Sequence, residues 1–306
     1  MTITTSLPVP PGCRRRLVAH YGAAVHRWID TVPELLTTAA ARWSLDLGSY
    51  HDAGHASALA TATDRNGERL LLKVWPDRDR YFRETKALGL WHRGTDAIVR
   101  ATDDGLAAAA LVMVGEAPGG AARPPQEAGL VAAALQRAHE TGRAEGGGTS
   151  GFPRLRDYVG SEVLPRVHRR YAASRLGRRA CGQALRYTDH LHENPGRHTT
   201  LHADLYAENI PFRCDGRPVL LDPLPMSGDA AYDWAFWTVY YRLGQGTGDR
   251  LQQACRTSGI PAGELLPWCL LLGLDGLLYY EETEDARVPV MQAVLDDLLE
   301  RIPRYS

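Results

Sequence analysis

A chain of 306 residues, 44% apolar and 23% charged, is long enough for two units with separate cores and has the balance of an ordinary globular protein. Its net charge of −1 excludes an overall field that would gather nucleic acid or an anionic membrane, and the arginines of Arg166–Arg179 read as the solvated face of a helix. The opening MTITTSLPVPPGCRRR lacks the charged start and apolar core of a secretory signal, and the apolar run Leu265–Tyr280 is interrupted by Pro267, Gly273, Asp275 and Gly276, which argues against a membrane span. Five scattered cysteines (Cys13, Cys181, Cys214, Cys255, Cys269), none in a CxxC pair, argue against a disulfide framework or a zinc site, so a cytoplasmic location is expected.

In chain order, Thr31-Val-Pro-Glu34 resembles a capping box that opens a helix, with Leu35, Leu36, Ala39, Ala40 and Trp43 as its apolar side. A hairpin follows: a strand from about His55 to Thr63, a tight Asn66-Gly67 turn, and a strand from Arg69 to Trp75. Asp77–Arg93 reads as a helix. Two further strands are expected near Ile98–Ala101 and Leu106–Val114, around the turn Asp103-Asp104-Gly105. Gly115–Pro125 is Gly/Pro-rich and reads as a linker, and Gly146–Gly148 as a flexible loop. Helical pattern fills Gln126–Glu140, then Asp157–His192 with breaks, then Ala230 onwards. Between the last two lies a polar, loop-rich insert, Thr199–Pro225, with short apolar pieces at Ile210 and Val219–Leu221 around an Asp215-Gly216 turn.

The insert carries the chemistry: Leu201-His-Ala-Asp-Leu-Tyr-Ala-Glu-Asn-Ile-Pro211, then Val219-Leu-Leu-Asp-Pro223. Phosphoryl transfer from ATP needs a carboxylate to orient the acceptor hydroxyl and take its proton, and oxygen ligands for magnesium. Asp204 and Asn209, five apart on one loop, fit base and metal ligand, and Asp222, after an apolar strand, fits a second metal ligand. Each residue alone reads as a turn former; the joint spacing points to a kinase catalytic loop.

Basic charge is almost all arginine, the lysines being Lys73 and Lys86 alone, so a lysine at the end of Leu70-Leu-Leu-Lys-Val-Trp stands out. It suits a β3-type lysine for the α- and β-phosphates. Tyr81, Glu84, Leu88 and Trp91 share one helical stripe, so Glu84 faces the core and needs a partner, for which Lys73 is expected. There is no GxGxxG and no GxxxxGK[ST], which excludes P-loop kinases.

The whole chain resembles the aminoglycoside phosphotransferase superfamily, which has the protein-kinase-like fold. His202-Ala-Asp204-Leu-Tyr-Ala-Glu-Asn209-Ile is similar to its His-Gly-Asp-Leu-His-x-x-Asn-Ile loop, and Leu221-Asp222-Pro223 with Gly228-Asp229-Ala-Ala-Tyr-Asp233-Trp-Ala to its Ile-Asp-Pro…Gly-Asp-Pro-x-x-Asp-x-Ala block. Glu208-Asn209, Asp222–Pro225 and Val32-Pro-Glu-Leu-Leu…Arg42-Trp-Ser-Leu look most like the streptomycin 6-kinase and hydroxyurea-resistance branch. Ala203 stands where the pattern has Gly, and Tyr206 where it has a second His. The resemblance implies an α+β bilobal fold: 1–114 as a small β-containing nucleotide-binding lobe with a helical extension, and 115–306 as linker and mainly helical lobe with catalytic loop and acceptor site. It implies that amides near Gly54 and Ala56, with Ser57, cover the phosphates, and that backbone around Val112–Val114 (Val112 and Val114 above all) holds the adenine. Asp233 and His202 are implied as braces of the loop.

The implied activity is ATP-dependent O-phosphorylation of a small-molecule antibiotic, aminoglycoside-like or another hydroxyl-bearing type such as a peptide or nucleoside, by a monomer or weak homodimer. ATP (or GTP) and Mg2+ would be the cofactors, with no nucleic-acid or membrane partner. A housekeeping sugar or amino-alcohol kinase is the alternative. A non-catalytic scaffold would be expected to lack one of Lys73, Asp204, Asn209 or Asp222. A protein kinase is disfavoured by Pro-Leu after Asp222 and by the missing Ala-Pro-Glu. For the acceptor, Asp275–Glu300 holds eight acids (Asp275, Glu281, Glu282, Glu284, Asp285, Asp296, Asp297, Glu300) against Arg287. They read as a solvated helix face or as a pocket for a polycation, with Asp229, Tyr279, Glu281 and Glu282 as candidate substrate residues. The aromatics Trp234, Trp237, Tyr240, Tyr241, Tyr279 and Tyr280 could instead stack a ring.

Overall fold

The computed structural model describes residues 8–52, 54–115, 119–144, 151–176 and 178–302; the Gly146–Gly148 run, Ala53, part of the Gly/Pro-rich stretch and the first seven residues lie outside the described residues. The chain divides into two compact units. One runs to Ala122 and includes Phe212–Cys214; the other runs from Arg123 to Pro211 and on from Asp215.

The first unit begins with α1 (Pro11–Tyr21) and α2 (His26–Trp43). The capping-box expectation is corrected here. α2 starts at His26, directly after a 3-10 turn, and Thr31 lies inside it with Oγ1 donating to Trp28 O. Pro33 is tolerated mid-helix because Ile29, Val32, Leu36, Ala39 and Ala40 form a buried stripe whose burial outweighs the missing backbone donor. The sheet is built from β1 (Asp46–His51), β2 (Ala58–Thr63), β3 (Arg69–Val74), β4 (Val99–Asp103) and β5 (Ala108–Val112), with α3 (Arg78–Trp91) between β3 and β4. Strand order is β1-β2-β3-β5-β4, and every neighbouring pair is antiparallel. β1 was not expected from sequence, and β2 starts at Ala58 rather than His55. Gly67 takes φ +83° in the turn, where Asp64 Oδ1 receives the amides of Asn66 and Glu68. Asp77 caps α3 by accepting from the amides of Asp79 and Arg80.

The second unit contains α4 (Glu127–Ala144), α5 (Leu155–Tyr158), α6 (Leu164–Ala173), α7 (Arg178–Tyr187), β6 (His198–Leu201), β7 (Met226–Asp229), α8 (Ala231–Tyr240), α9 (Thr247–Ser258), α10 (Ala262–Glu282) and α11 (Val288–Glu300). β6 and β7 pair antiparallel and flank the loop-rich insert. The expected strand before Asp222 is absent: Val219–Leu221 is held by hydrogen bonds that Val219 N donates to Pro211 O and Leu221 N to Asn209 O, outside any regular ladder. α4 lies close on β6 at Gly142, where an added Cβ would come within 2.4 Å of Thr199 Oγ1. α10 is one unbroken helix despite Pro267, Gly273 and Gly276, and by length and composition it could cross a membrane; 78% of its apolar window is buried inside the protein. The α+β expectation therefore holds: a five-stranded antiparallel sheet in the N-terminal part and a mainly helical C-terminal part.

Candidate active site

In the first unit β3 presents Lys73 to α3. Lys73 Nζ donates to Glu84 Oε1 at 2.5 Å, and both side chains are almost fully buried. Glu84 Oε2 accepts from Trp75 Nε1 at 2.9 Å. The segment between β1 and β2 is tied down from α1, a feature without a sequence signal. Arg16 Nε donates to Gly54 O at 3.0 Å and Tyr21 Oη to Ala56 O at 2.9 Å. Gly54 has φ +88°, and a Cβ there would lie 2.9 Å from Leu59 Cδ1. Ser57 is buried beside it. At the far end of β5, the Val112 amide donates to Ile98 O and the Met113 amide to Arg69 O, so the sheet uses both. Val112 therefore has no amide to spare for a nucleotide base. Among the described residues the Val114 amide and carbonyl have no backbone partner, which leaves them suited to the edge of a base.

In the second unit the loop after β6 is built around Asp233, the third residue of α8. Its carboxylate is fully buried and accepts three bonds: from His202 N (Oδ2, 2.8 Å), Ala203 N (Oδ1, 2.8 Å) and His139 Nε2 (Oδ2, 2.9 Å). His139 comes from the apolar stripe of α4, with Val131, Leu135 and Ala138, and sequence reasoning passed over it; a histidine on such a stripe is its only signal. His202 is buried. Its Nδ1 accepts the Asp204 amide at 3.3 Å, so Nε2 carries the proton and donates to Leu221 O at 3.0 Å. The His202 carbonyl accepts from Leu224 N at 2.9 Å. One histidine thus clips the chain on both sides of Asp222.

Asn209 Nδ2 donates to Asp204 O (2.8 Å) and to Asp204 Oδ2 (2.9 Å). The amide nitrogen faces Asp204, so Oδ1, at the other end of the same planar amide, points elsewhere and is available to a cation. The bond from Leu221 N to Asn209 O brings Asp222 onto the same platform. Asp222 has φ +54°, a left-handed conformation that aspartate tolerates better than most residues. For a divalent cation these residues supply hard oxygen donors. Among the described residues no group of three His, Cys, Asp or Glu is placed to hold a metal, and an ion on Asn209 and Asp222 would need phosphate oxygens and water for the rest of its shell.

Ala203 sits at φ +59°, which explains why the resembling loops have glycine at this position. The left-handed conformation costs alanine about 1–2 kcal/mol. Ala203→Gly relieves that cost but loses a buried methyl and adds unfolded-state entropy, about 1–2 kcal/mol together. The variant is therefore expected to be close to neutral in urea unfolding; a loss of about 1.5 kcal/mol or more would mean that the strain is not there to relieve. The ring of Tyr206 packs 5.3 Å from both Phe236 and Tyr240. Burial, reinforced by the negative charge of Asp204, pushes its hydroxyl well above the usual tyrosine range, so it stays protonated beside the loop.

The substrate expectations fare differently. Asp229 is fully buried and accepts from Arg197, from Asn194 N and from Ala231 N, so it braces the start of α8 and does not front an acceptor. Two of the acids of α10, Asp275 and Glu282, are matched by arginines of α6. Asp275 is bridged by Arg166 and Arg170, and Glu282 by Arg170 (2.6 Å). Glu281 accepts from Ser174 Oγ (2.5 Å) and Arg175 N (2.7 Å). Arg170 also covers the ring of half-exposed Tyr279 at 5.1 Å. Glu281 and Glu282 line a cavity of about 330 Å3 with Arg170, Ser174, Arg175 and Glu284, so its wall is mixed in charge. Trp234 and Trp237 are core residues, while Tyr280 lies under Arg287 at 4.2 Å.

No protein-family model matches the chain. A stretch of 50 residues is 40% identical to a probable ketoamine kinase of Staphylococcus aureus and spans 16% of this chain and 17% of that relative. Among solved structures, one assigned as a fructosamine-3-kinase of Thermobifida fusca aligns over 86% of this chain and 96% of its own, with a TM-score of 0.58 and 19% identity. A macrolide 2'-phosphotransferase of Brachybacterium faecium aligns over 90% and 100%, with a TM-score of 0.57 and 19% identity. An aminoglycoside phosphotransferase in ternary complex with ADP and hygromycin B aligns over 88% and 98%, with a TM-score of 0.58 and 15% identity. The chain has the α+β kinase-like fold that these small-molecule phosphotransferases share.

Proposed function

We propose that the protein is an ATP-dependent small-molecule O-phosphotransferase. The observation that carries this reading is the platform on which Asn209 donates to Asp204 and the Leu221–Asn209 bond delivers Asp222. In the proposed reaction Asp204 takes the proton of an acceptor hydroxyl. The hydroxyl oxygen then bonds to the γ-phosphorus, and the bond to the β,γ-bridging oxygen breaks to release ADP. Mg2+ would be held by Asn209 and Asp222 and would offset charge on the phosphate oxygens. Lys73, aligned by Glu84, engages the α- and β-phosphates, the amides around Gly54 and Ser57 cover them, and Val114 offers the adenine its backbone. Such an enzyme works where ATP is supplied, in the cytoplasm.

For the acceptor, the likeness of Glu208-Asn209 and Asp222–Pro225 to the streptomycin 6-kinase branch supports a hydroxyl-bearing antibiotic. A second reading, a housekeeping kinase of a sugar-derived metabolite, is supported by the short likeness to a ketoamine kinase. The arginine-matched acids on α10 favour a neutral, ring-bearing acceptor over a polycation in either case. Replacing Glu281 and Glu282 together by Gln is accordingly expected to leave the salt dependence of the acceptor KM unchanged, with a stability loss of about 1 kcal/mol or less for these partly exposed pairs. A flattened salt dependence would restore the polycation. The deciding experiment is ATP consumption against a panel of antibiotics and glycated or amino sugars, with mass analysis of products for an added phosphate. If nothing on the panel gains phosphate and ATP is not consumed, the reading fails.

A further inference from the structure

We propose that Trp75 is a positioning residue for the phosphate-binding lysine, acting through Glu84. Lys73 lies near the end of β3 and Trp75 directly follows that strand, and both side chains reach Glu84 of α3. There they take different oxygens of one carboxylate: Lys73 Nζ on Oε1 at 2.5 Å and Trp75 Nε1 on Oε2 at 2.9 Å. The indole also stands under the ammonium, with Nζ 4.9 Å from the ring centroid. Trp75 is itself fixed. It is 1% exposed, its amide donates to Ala107 O at 3.1 Å, and its ring packs against Tyr81, whose hydroxyl donates to Asp104 Oδ1.

Consider α3 without this contact. Oε2 of Glu84 would lose a donor that core packing holds in place, and the carboxylate would be less restrained about its terminal bond. The indole N–H removes that freedom, because swinging Glu84 away strands a buried donor as well as a buried ion pair.

The test uses the full-length protein and the fact that the chain has two lysines, buried Lys73 and exposed Lys86. Acylation by an amine-directed reagent, followed by peptide mass analysis, reads Lys73 against Lys86 in one sample. Trp75→Phe keeps a ring and removes the N–H. A hydrogen bond to a charged group is worth about ten-fold in an equilibrium, so Lys73 acylation is expected to accelerate about ten-fold relative to Lys86. In a Glu84→Ala background the same substitution is expected to change the ratio by less than about two-fold, since the carboxylate through which Trp75 acts is gone. A purely packing role predicts an equal effect in both backgrounds, and that result, or an unchanged rate in Trp75→Phe, overturns the proposal. Should Trp75→Phe not fold, Trp75→Met, which likewise lacks a donor, carries the same measurement. The proposal rests on the phosphotransferase reading for its function, and kinetics separate the two. kcat/KM for ATP should fall about ten-fold with the acceptor KM unchanged. A parent protein that binds no Mg-ATP sinks the phosphotransferase reading, whereas lysine acylation still decides the role of Trp75.

Discussion

Asp204→Asn is expected to bind Mg-ATP nearly as the parent does while turning over at least about a hundred-fold more slowly, because general-base contributions run about 10²–10⁴. The substitution is a narrow one. The contact from Asn209 Nδ2 goes to Oδ2 of Asp204, and an amide oxygen can accept that bond as a carboxylate does, so the loop keeps its shape. The second bond, to the Asp204 carbonyl, is untouched. What disappears is the ability to take a proton. Calorimetric titration with a non-hydrolysable nucleotide and single-turnover kinetics check the two halves. Turnover within a few-fold of the parent would remove Asp204 from the role of base.

Asp233→Ala is expected to have the largest effect on stability. The carboxylate serves three buried donors, His202 N, Ala203 N and His139 Nε2. Each stranded donor costs about 1–3 kcal/mol, so a loss of about 3 kcal/mol or more is expected out of a total of about 5–15. Urea unfolding should show it. Asp233→Asn should sit closer to Ala than to the parent, because one end of the amide turns a donor towards a donor. A loss below about 1 kcal/mol would mean that the loop is held by something other than Asp233.

Much of the site was legible because its chemistry is local. Asp204, Asn209 and Asp222 lie within 19 residues of sequence, and their spacing is fixed by one loop and one reverse turn. The Lys73–Glu84 contact was legible for a similar reason: a strand end and the helix after it. What escaped depends on partners far along the chain. The acids of α10 look unpaired in sequence because Arg166 and Arg170 are more than a hundred residues upstream. His139 and Asp233 are 94 apart, and neither carries a mark of the other. β1 was missed because none of its residues is buried and it exists through its ladder with β2. The start of α2 was misplaced because Thr31-Val-Pro-Glu34 satisfies the local rules for a helix start, while packing of Ile29 and Val32 extends the helix back to His26.

The apolar character of α10 has a consequence for how the protein is made. Fourteen of its 21 residues are buried, and part of that cover comes from α11, which follows it in the chain: Leu295 reaches Gly273, and Met291 reaches Gly276. Ribosomes deliver α10 before α11. Until residues 288–300 have been synthesised, the nascent chain carries a helix as greasy as a membrane anchor with one face bare. Synthesis of α11 is then expected to cover that face and to shorten the time for which it is open to non-native contacts.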